Sequence, residues 1–263
     1  MITWIASYPK SGNTWVRSFL TSYLSNNDDF NFKQLKKINK FPRESLFKEL
    51  NVDNNDFENI ASNWIPMQNY INLKNEITYL KTHNAMMTIG NYKFSDNDNT
   101  NGFIYLVRDP RDVLISYASH TGQTIEETFE LMIASSGRSV EDGTIMSSWS
   151  NHFNSWKNSN FPKIIIKYED LIKNTENSFS KIINFLNKTN NLQIDREKII
   201  KAINNTNFNK LKKLEEIDGF NEAKENKFFR KGKVGDWQEN LDAKIARRIE
   251  KEFNSEMTEL GYL

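Results

Sequence analysis

The sequence predicts an α/β fold: a single three-layer α/β/α domain over residues 1–263, with a central parallel sheet between two layers of helices. Two observations predict it. Short apolar runs rich in Ile, Val, Tyr or Phe recur along the chain, as they do in buried parallel strands. Helical patterns separate these runs, so each strand is expected to reach the next through a crossover helix. No internal repeat and no convincing linker divides the chain, which is long enough for one large core.

The expected elements alternate along the chain. The predicted strands are Ile2–Ser7, Ile77–Lys81, Phe103–Val107 and Lys163–Lys167. The predicted helices are Trp15–Leu24, Arg111–Ser119, Ile125–Ala134, Met146–Lys157, Glu176–Leu186, Arg196–Asn204 and Leu241–Leu260. Ligands of such sheets bind at the carboxyl ends of the strands, so the functional residues are expected at that edge.

Composition excludes several classes of function. The formal net charge is +1, so neither nucleic acid nor an anionic membrane is expected as a partner. The absence of cysteine excludes thiol catalysis, disulfides and cysteine-based zinc sites. The three histidines are scattered, and no metal site is expected. No apolar run approaches the roughly 20 residues that span a bilayer, and no targeting segment precedes the first strand, so a soluble cytoplasmic protein is expected.

The first strand runs through "YPKSGNTW", residues 8–15, into the first helix. A helix N-terminus presents unpaired N–H groups and partial positive charge, so a lysine and small polar residues at this point suit an anion. The loop lacks the nucleotide P-loop pattern, because Lys10 precedes Gly12 instead of following a second glycine. The alternative is an ordinary helix start with Lys10 in solvent.

The third expected strand leads into "RDPRDVLIS", residues 108–116, in which the proline is placed to begin a helix. A guanidinium and a hydroxyl make a good phosphate pair, which Arg108 and Ser116 could supply. Alternatively, Arg108 pairs with Asp109 or Asp112 and the serine only fills the helix.

Two further stretches carry charge. In "KTH", Lys81 and His83 share one side of the pleat at a strand end. This pair suits a reaction in which a hydroxyl loses a proton while negative charge builds nearby. In "FFRKGKVGDW", residues 228–237, cations alternate with two glycines and so offer both charge and backbone N–H groups. The alternative for "KTH" is a histidine with a purely structural role. The alternative for residues 228–237 is a solvated basic surface.

Together these stretches resemble the sulfotransferases that use 3′-phosphoadenosine-5′-phosphosulfate (PAPS) as donor. "SYPKSGNTW" is similar to that family's P-loop-like phosphosulfate-binding loop, and "RDPRDVLIS" is similar to its 3′-phosphate motif. "KTH" resembles its catalytic strand end, and "FRKGKVGDW" resembles its C-terminal loop. "YED" at 168–170 and "TNF" at 206–208 follow in the expected order, so the resemblance spans residues 2–237.

The resemblance implies sulfuryl transfer from PAPS to a hydroxyl of a small acceptor, with no metal. His83 is the expected general base, and Lys10 and Lys81 are expected to stabilise negative charge. The residues expected to bind the donor are Lys10, Ser11, Gly12, Asn13 and Thr14 at the 5′-phosphate, Arg108, Ser116, Arg230, Lys231 and Gly232 at the 3′-phosphate, and Trp15, Tyr168, Thr206 and Phe208 at the adenine.

The acceptor is less well defined by the sequence. Residues 84–101 and 118–148 are expected to form its pocket and a lid, because loops at strand ends carry specificity. A small alcohol or phenol would need apolar walls, and the neighbouring polar side chains would serve a sugar equally well. The apolar candidates are Met86, Met87, Tyr92, Phe94, Phe129 and Met132, of which the last two suit a helix core better.

The chain departs from the family pattern in three places. Asn84-Ala85-Met86 follows the catalytic strand where many members have Leu-Pro, and Gln238 stands where lysine is common. The dimerisation segment of many relatives is not matched, so the oligomeric state is left open. Two other functions remain. A small-metabolite P-loop kinase needs a Walker-type loop and Mg²⁺ ligands. A non-catalytic nucleotide-binding protein would not need Lys81 and His83.

Overall fold

A computed structural model describes residues 1–25, 29–53, 56–134, 139–140 and 143–263. The strands within these ranges are β1 (Ile2–Ser7), β2 (Asn39–Lys40), β3 (Thr78–Thr82), β4 (Thr88–Ile89), β5 (Tyr92–Lys93), β6 (Thr100–Val107), β7 (Ser139–Val140), β8 (Thr144–Ile145) and β9 (Lys163–Lys167). The helices are α1 (Asn13–Tyr23), α2 (Glu44–Glu49), α3 (Phe57–Ser62), α4 (Trp64–Asn72), α5 (Pro110–Thr121), α6 (Ile125–Ile133), α7 (Trp149–Lys157), α8 (Tyr168–Lys173), α9 (Thr175–Asn190), α10 (Arg196–Asn205), α11 (Phe208–Asp218), α12 (Trp237–Asn240), α13 (Ala243–Glu252) and α14 (Asn254–Glu259), with a 3₁₀ helix at Phe32–Lys37.

The central sheet has five parallel strands in the order β2-β3-β1-β6-β9. β1 lies in the middle, and all six of its residues are buried. Because neighbouring strands run parallel, their carboxyl ends meet at one edge of the sheet, where Ser7, Thr82 and Val107 end β1, β3 and β6. That edge is the place where the sequence motifs converge.

Helices cover both faces of the sheet. On one face, Trp4 and Tyr105 pack with side chains of α5, α7, α13 and α14. On the other face, Ile5 and Ile104 pack with side chains of α1, α9 and α10. Successive residues of β1 and β6 therefore point to opposite layers, as the pleat requires. This arrangement confirms the predicted α/β fold with a central parallel sheet.

The strand predictions held in their essentials. β1 and β9 have the predicted bounds, and β3 is shifted by one residue. β6 begins three residues early, at Thr100, whose buried hydroxyl accepts a hydrogen bond of 2.8 Å from Trp4 Nε1. The edge strand β2 was not predicted, because two residues are too short to form an apolar pattern.

Several helix boundaries were wrong, for local reasons. The last predicted helix starts too early: Asp242 caps α13 by accepting from the Lys244 N–H at 2.7 Å. It is also interrupted at Phe253, where α14 begins. α7 begins at Trp149 because Ser148 caps it. Six helices of the described residues were not predicted: α2, α3, α4, α8, α11 and α12.

Candidate active site

A cavity of about 430 Å³ opens at the carboxyl edge of the sheet. Residues after β1, β3 and β6 line it, together with the segment 228–236. The predicted site residues that line it are Lys10, Gly12, Asn13, Thr14, Trp15, Lys81, His83, Arg108, Ser116, Tyr168, Phe208, Arg230, Lys231 and Gly232. The structure thus brings together side chains that lie far apart in the sequence.

The turn from β1 into α1 forms the expected anion cradle. Lys10 and Gly12 both have positive φ, 65° and 96°, so the backbone curls immediately before the helix. A side chain at Gly12 would not fit, because its Cβ would lie 2.7 Å from Tyr168 Cδ2. Asn13 fastens the turn to the sheet by donating from Nδ2 to the carbonyl of Ile5 at 2.9 Å. The first N–H groups of α1 have no partners within the helix and are available to an anion.

Lys10 lies deep in the cavity, and its Nζ is 3.7 Å from the centre of the Phe228 ring. Burial, and next the neighbouring charges of Lys81 and Arg108, together lower the pKa of Lys10 to about 7. An anion placed among these three cations would reverse that shift. The alternative of a solvated Lys10 is therefore wrong for this structure.

His83 is held in one orientation by the strand beside it. Its Nδ1 lies 2.8 Å from the backbone carbonyl of Ser7. A carbonyl oxygen only accepts, so Nδ1 carries the proton and Nε2 keeps its lone pair. Burial, and next the charge of Lys81, hold the pKa of His83 well below its ordinary 6.5. The ring is consequently neutral at physiological pH and can accept a proton at Nε2.

The backbone at His83 is fixed from α7. Nε2 of His152 lies 3.1 Å from the His83 carbonyl oxygen, within hydrogen-bond distance. Nδ1 of the same His152 ring lies 2.8 Å from the Tyr105 hydroxyl. Trp156 Nε1 donates to the carbonyl of the next residue, Asn84, at 2.8 Å. The strand end that carries His83 is therefore rigid.

Arg108 forms one of the ion pairs that the sequence allowed and keeps one nitrogen free of hydrogen bonds to the described residues. It pairs with Asp112 at 3.5 Å, whereas Asp109 pairs with Arg111. Its guanidinium lies 4.4 Å over the Tyr168 ring, and its buried Nε has no hydrogen-bond partner among the described residues. An unpaired buried donor is costly unless a ligand accepts from it.

The basic segment 228–236 is a shaped loop. Asp112 accepts from the N–H groups of Gly235 and Trp237, at 2.8 and 3.0 Å, and so ties the loop to α5. Asp236 pairs with both predicted phosphate ligands of this segment, Arg230 at 2.8 Å and Lys231 at 2.6 Å. Lys231 and Lys233 are exposed, as in a solvated basic surface, but the backbone that carries them is held in one shape by Asp112.

The two rings expected to stack on an adenine line the cavity, whereas two other predicted donor ligands do not. Trp15 and Phe208 are half-buried and line the cavity. Gly232 has φ +61°, and a Cβ there would lie 2.4 Å from Phe208 Cδ2, so the basic loop rests on that ring. Thr206 and Ser11 are fully buried and do not line the cavity. The Thr206 hydroxyl donates to the Ala202 carbonyl at 2.7 Å.

Sequence reasoning missed one central residue. Glu222 lines the cavity and pairs with Lys81 at 2.6 Å and with Arg17. It belongs to no motif, and only the folded chain brings it to Lys81. Lys40, at the end of β2, also lines the cavity and was not predicted.

Of the two ranges expected around the acceptor, 118–148 contributes His120, Thr121, Thr144 and Met146 to the cavity wall, whereas none of the described residues 84–101 lines it. Within the part of the chain that the structure describes, none of the six apolar candidates does; Phe94, Phe129 and Met132 lie in the core. Residues 135–138 and 141–142 of the expected pocket and lid lie outside the described residues.

Two further findings concern the described residues only. They contain no group of three or more His, Asp or Glu side chains that could hold a metal ion. Their helices are all too short or too polar to cross a membrane.

Comparison with known proteins gives consistent similarities. Residues 2–261 match the family described as "Sulfotransferase domain". The chain is 23% identical to the amine sulfotransferase of Oryctolagus cuniculus over 260 residues, covering 96% of this chain and 79% of that protein. It is 25% identical to the 3-beta-hydroxysteroid sulfotransferase of Cavia porcellus, covering 97% of this chain and 83% of that protein.

Two solved structures share the fold. The structure of retinol dehydratase in complex with androsterone and the inactive cofactor PAP superposes with a TM-score of 0.63 at 20% identity, covering 97% of this chain and 80% of that one. The structure of mouse sulfotransferase SULT7A1 complexed with PAP superposes with a TM-score of 0.61 at 20% identity, covering 97% of this chain and 84% of that one.

Proposed function

The chain belongs to the sulfotransferase family and transfers a sulfuryl group, and on that premise we propose that PAPS is its donor and a small hydroxylated molecule its acceptor. The observation that carries the proposal is the neutral imidazole of His83, fixed beside Lys81 at the edge of a cavity lined with cations. The amine and hydroxysteroid in the names of two relatives, and the androsterone bound in a solved structure, are small molecules, which supports a small acceptor.

The residues present fit the donor. Three cations, Lys10, Lys81 and Arg108, converge where burial penalises their charge, and a polyanion would relieve that penalty. The unpartnered Arg108 Nε and Trp15 Nε1 also fit a ligand rich in acceptors. A nearly neutral protein can bind such a polyanion, because its charges converge locally.

We assign the donor contacts as follows. Lys10 and the backbone of residues 11–14 hold the 5′-phosphate at the start of α1. Arg108 and Ser116 hold the 3′-phosphate with the basic loop, from which Arg230, Lys231 and Gly232 contribute. Arg230 and Lys231 each donate once to Asp236 and keep further N–H donors that a phosphate could accept from.

The adenine lies between Trp15 and Phe208 in this proposal, because both rings border the cavity. Tyr168, beneath Arg108, lies near the base edge. Thr206 is fully buried and its hydroxyl donates to Ala202, so it can meet the base only as a hydrogen-bond acceptor and only if the base reaches below the cavity wall.

The transfer step follows from the geometry of the strand ends. The acceptor oxygen forms a bond to sulfur while the bond from sulfur to the 5′-phosphate oxygen breaks. The acceptor proton passes to His83 Nε2, the ring nitrogen that is free to accept. Lys10 meets the charge that develops on the departing phosphate, and Lys81 stabilises the sulfuryl oxygens. Positioned proton transfer contributes roughly 10²–10⁴ in rate.

Calorimetry with PAP, the expected product, tests the donor site. We expect metal-independent binding that Arg108→Ala abolishes and that the exposed control Arg196→Ala leaves unchanged. ATP, with or without Mg²⁺, should bind more weakly than PAP because it lacks the 3′-phosphate. Preference for Mg-ATP would refute the proposal and favour a kinase. Tight PAP binding without turnover on a panel of phenols, alcohols and sugars would favour a non-catalytic binding protein.

A further inference from the structure

We propose that Glu222 is a positioning residue for sulfuryl transfer: anchored by Arg17, its carboxylate holds the Lys81 ammonium at the reaction site beside His83. The inference rests on the proposed function, because it concerns the lysine to which that function gives the sulfuryl oxygens. It adds a residue that no sequence motif contains.

The contacts form a chain from the core to the cavity. Arg17 is 6% exposed and is fixed by donating from Nε to the Ile38 carbonyl at 2.7 Å and from Nη2 to the Leu35 carbonyl at 3.2 Å. Its Nη1 donates to Oε1 of Glu222. The other carboxylate oxygen, Oε2, accepts from Lys81 Nζ at 2.6 Å. Each oxygen of Glu222 therefore has one cationic partner, and the side chain has a single favoured position.

The contact with Glu222 favours the charged form of Lys81. Burial lowers the pKa of Lys81, whereas the charge of Glu222 and its hydrogen bond raise it. Among the described residues, the charged and titratable groups that interact electrostatically with this lysine or with Glu222 are Lys10, Arg17, Lys40, His83 and His120. All five are basic side chains, and none is an acid. Without the carboxylate, a buried lysine in such surroundings would lose its proton at lower pH.

The position of Glu222 in the chain connects two parts of the site. It lies in the segment between α11 and the basic loop. Glu215 of α11 accepts from the N–H groups of Phe228 and Phe229, at 2.5 and 2.9 Å, and so closes the segment into a loop. The segment that places Glu222 on Lys81 therefore continues into the loop that carries Arg230 and Lys231.

PAP affinity distinguishes a positioning role of Glu222 from a role in holding the loop together. Removing a carboxylate from a cationic cavity should leave PAP binding unchanged or tighten it, because the ligand is an anion. Disrupting the loop would weaken PAP binding instead. The two explanations therefore predict opposite changes in donor affinity.

The test compares Glu222→Gln and Glu222→Asp with Glu225→Gln. Glu225 is exposed, lies in the same segment and changes charge equally, so it is a matched control. We expect Glu222→Gln to lower kcat at pH 8 at least tenfold and to move the alkaline limb of the rate profile at least one pH unit lower. PAP affinity should not fall. Glu222→Asp should recover part of the rate, and Glu225→Gln should match the wild type.

A second readout is independent of turnover. The pKa of Lys81 can be followed by NMR with ¹³Cε-labelled lysine, and Lys81→Arg assigns its signal. We expect a lower Lys81 pKa in Glu222→Gln than in Glu225→Gln. Equal Lys81 pKa values, or a wild-type alkaline limb in Glu222→Gln, would overturn the inference. If the wild-type protein bound PAP but transferred no sulfuryl group, the proposed function would fail, while the NMR titration would still test the contact.

Discussion

Lys10 should take up a proton when PAP binds. In the donor-free protein, burial and the charges of Lys81 and Arg108 bring its pKa to about 7. A phosphate beside the ammonium favours the charged form and raises that pKa again. A group with a pKa of 7 is about nine-tenths deprotonated at pH 8 and about one-tenth at pH 6. Binding should therefore draw about 0.9 proton to Lys10 at pH 8 and about 0.1 at pH 6.

Calorimetry in two buffers of different ionisation enthalpy measures this uptake. At pH 8 the phosphates of PAP, with second pKa values near ~6, are already ionised and contribute little. Lys40 also has a pKa of about 7, lowered mainly by burial, so the total uptake includes its share. The variant Lys10→Arg isolates the contribution of Lys10, because a guanidinium stays protonated throughout this range.

The expected difference between wild type and Lys10→Arg is about 0.9 proton at pH 8 and almost none at pH 6. By linkage, PAP affinity of the wild type should fall more steeply above pH 7 than that of the variant. Equal proton uptake in the two proteins at pH 8 would refute the reasoning. It would mean either that Lys10 is charged before binding or that it does not meet the phosphate.

The remaining predictions concern the base and the basic loop. His83→Ala should lower kcat by roughly 10²–10⁴ while PAP affinity, measured by calorimetry, changes less than twofold. Because the pKa of His83 is lowered and its neutral form is active, activity should be lost only as pH falls below 6.5, and an acid limb above that value in a rate profile would contradict the assignment. Gly232→Ala and Gly90→Ala both place a side chain at a positive φ, +61° and +56°, but only the first meets Phe208. Overpacking costs ~1–3 kcal/mol and each ~1.4 kcal/mol is tenfold, so Gly232→Ala should weaken PAP binding roughly tenfold more than Gly90→Ala does. Equal affinities of the two variants would show that the loop does not depend on the Phe208 contact.

Much of the architecture could be predicted because its signals are local. β1 and β9 are continuous apolar runs, and their bounds are those of the runs. Pro110 begins α5 after β6, as its fixed φ favours. The errors came where a capping side chain decided the boundary, as with Asp242 before α13. Such a cap competes with the apolar periodicity, which continued through it.

The sequence by itself determined the parallel sheet, the order of the motifs and the residue types that meet an anion and a hydroxyl. Each of these depends on a few neighbouring residues and on the rule that parallel strands end at one edge. Only the tertiary structure decided the partners. Lys81 meets Glu222 across 141 residues, and Arg17 meets the same carboxylate across 205. The proton on His83 likewise depends on the carbonyl of Ser7 in the neighbouring strand. Ion pairs and ring orientations of this kind follow from packing between distant segments, and no pattern along the chain encodes them.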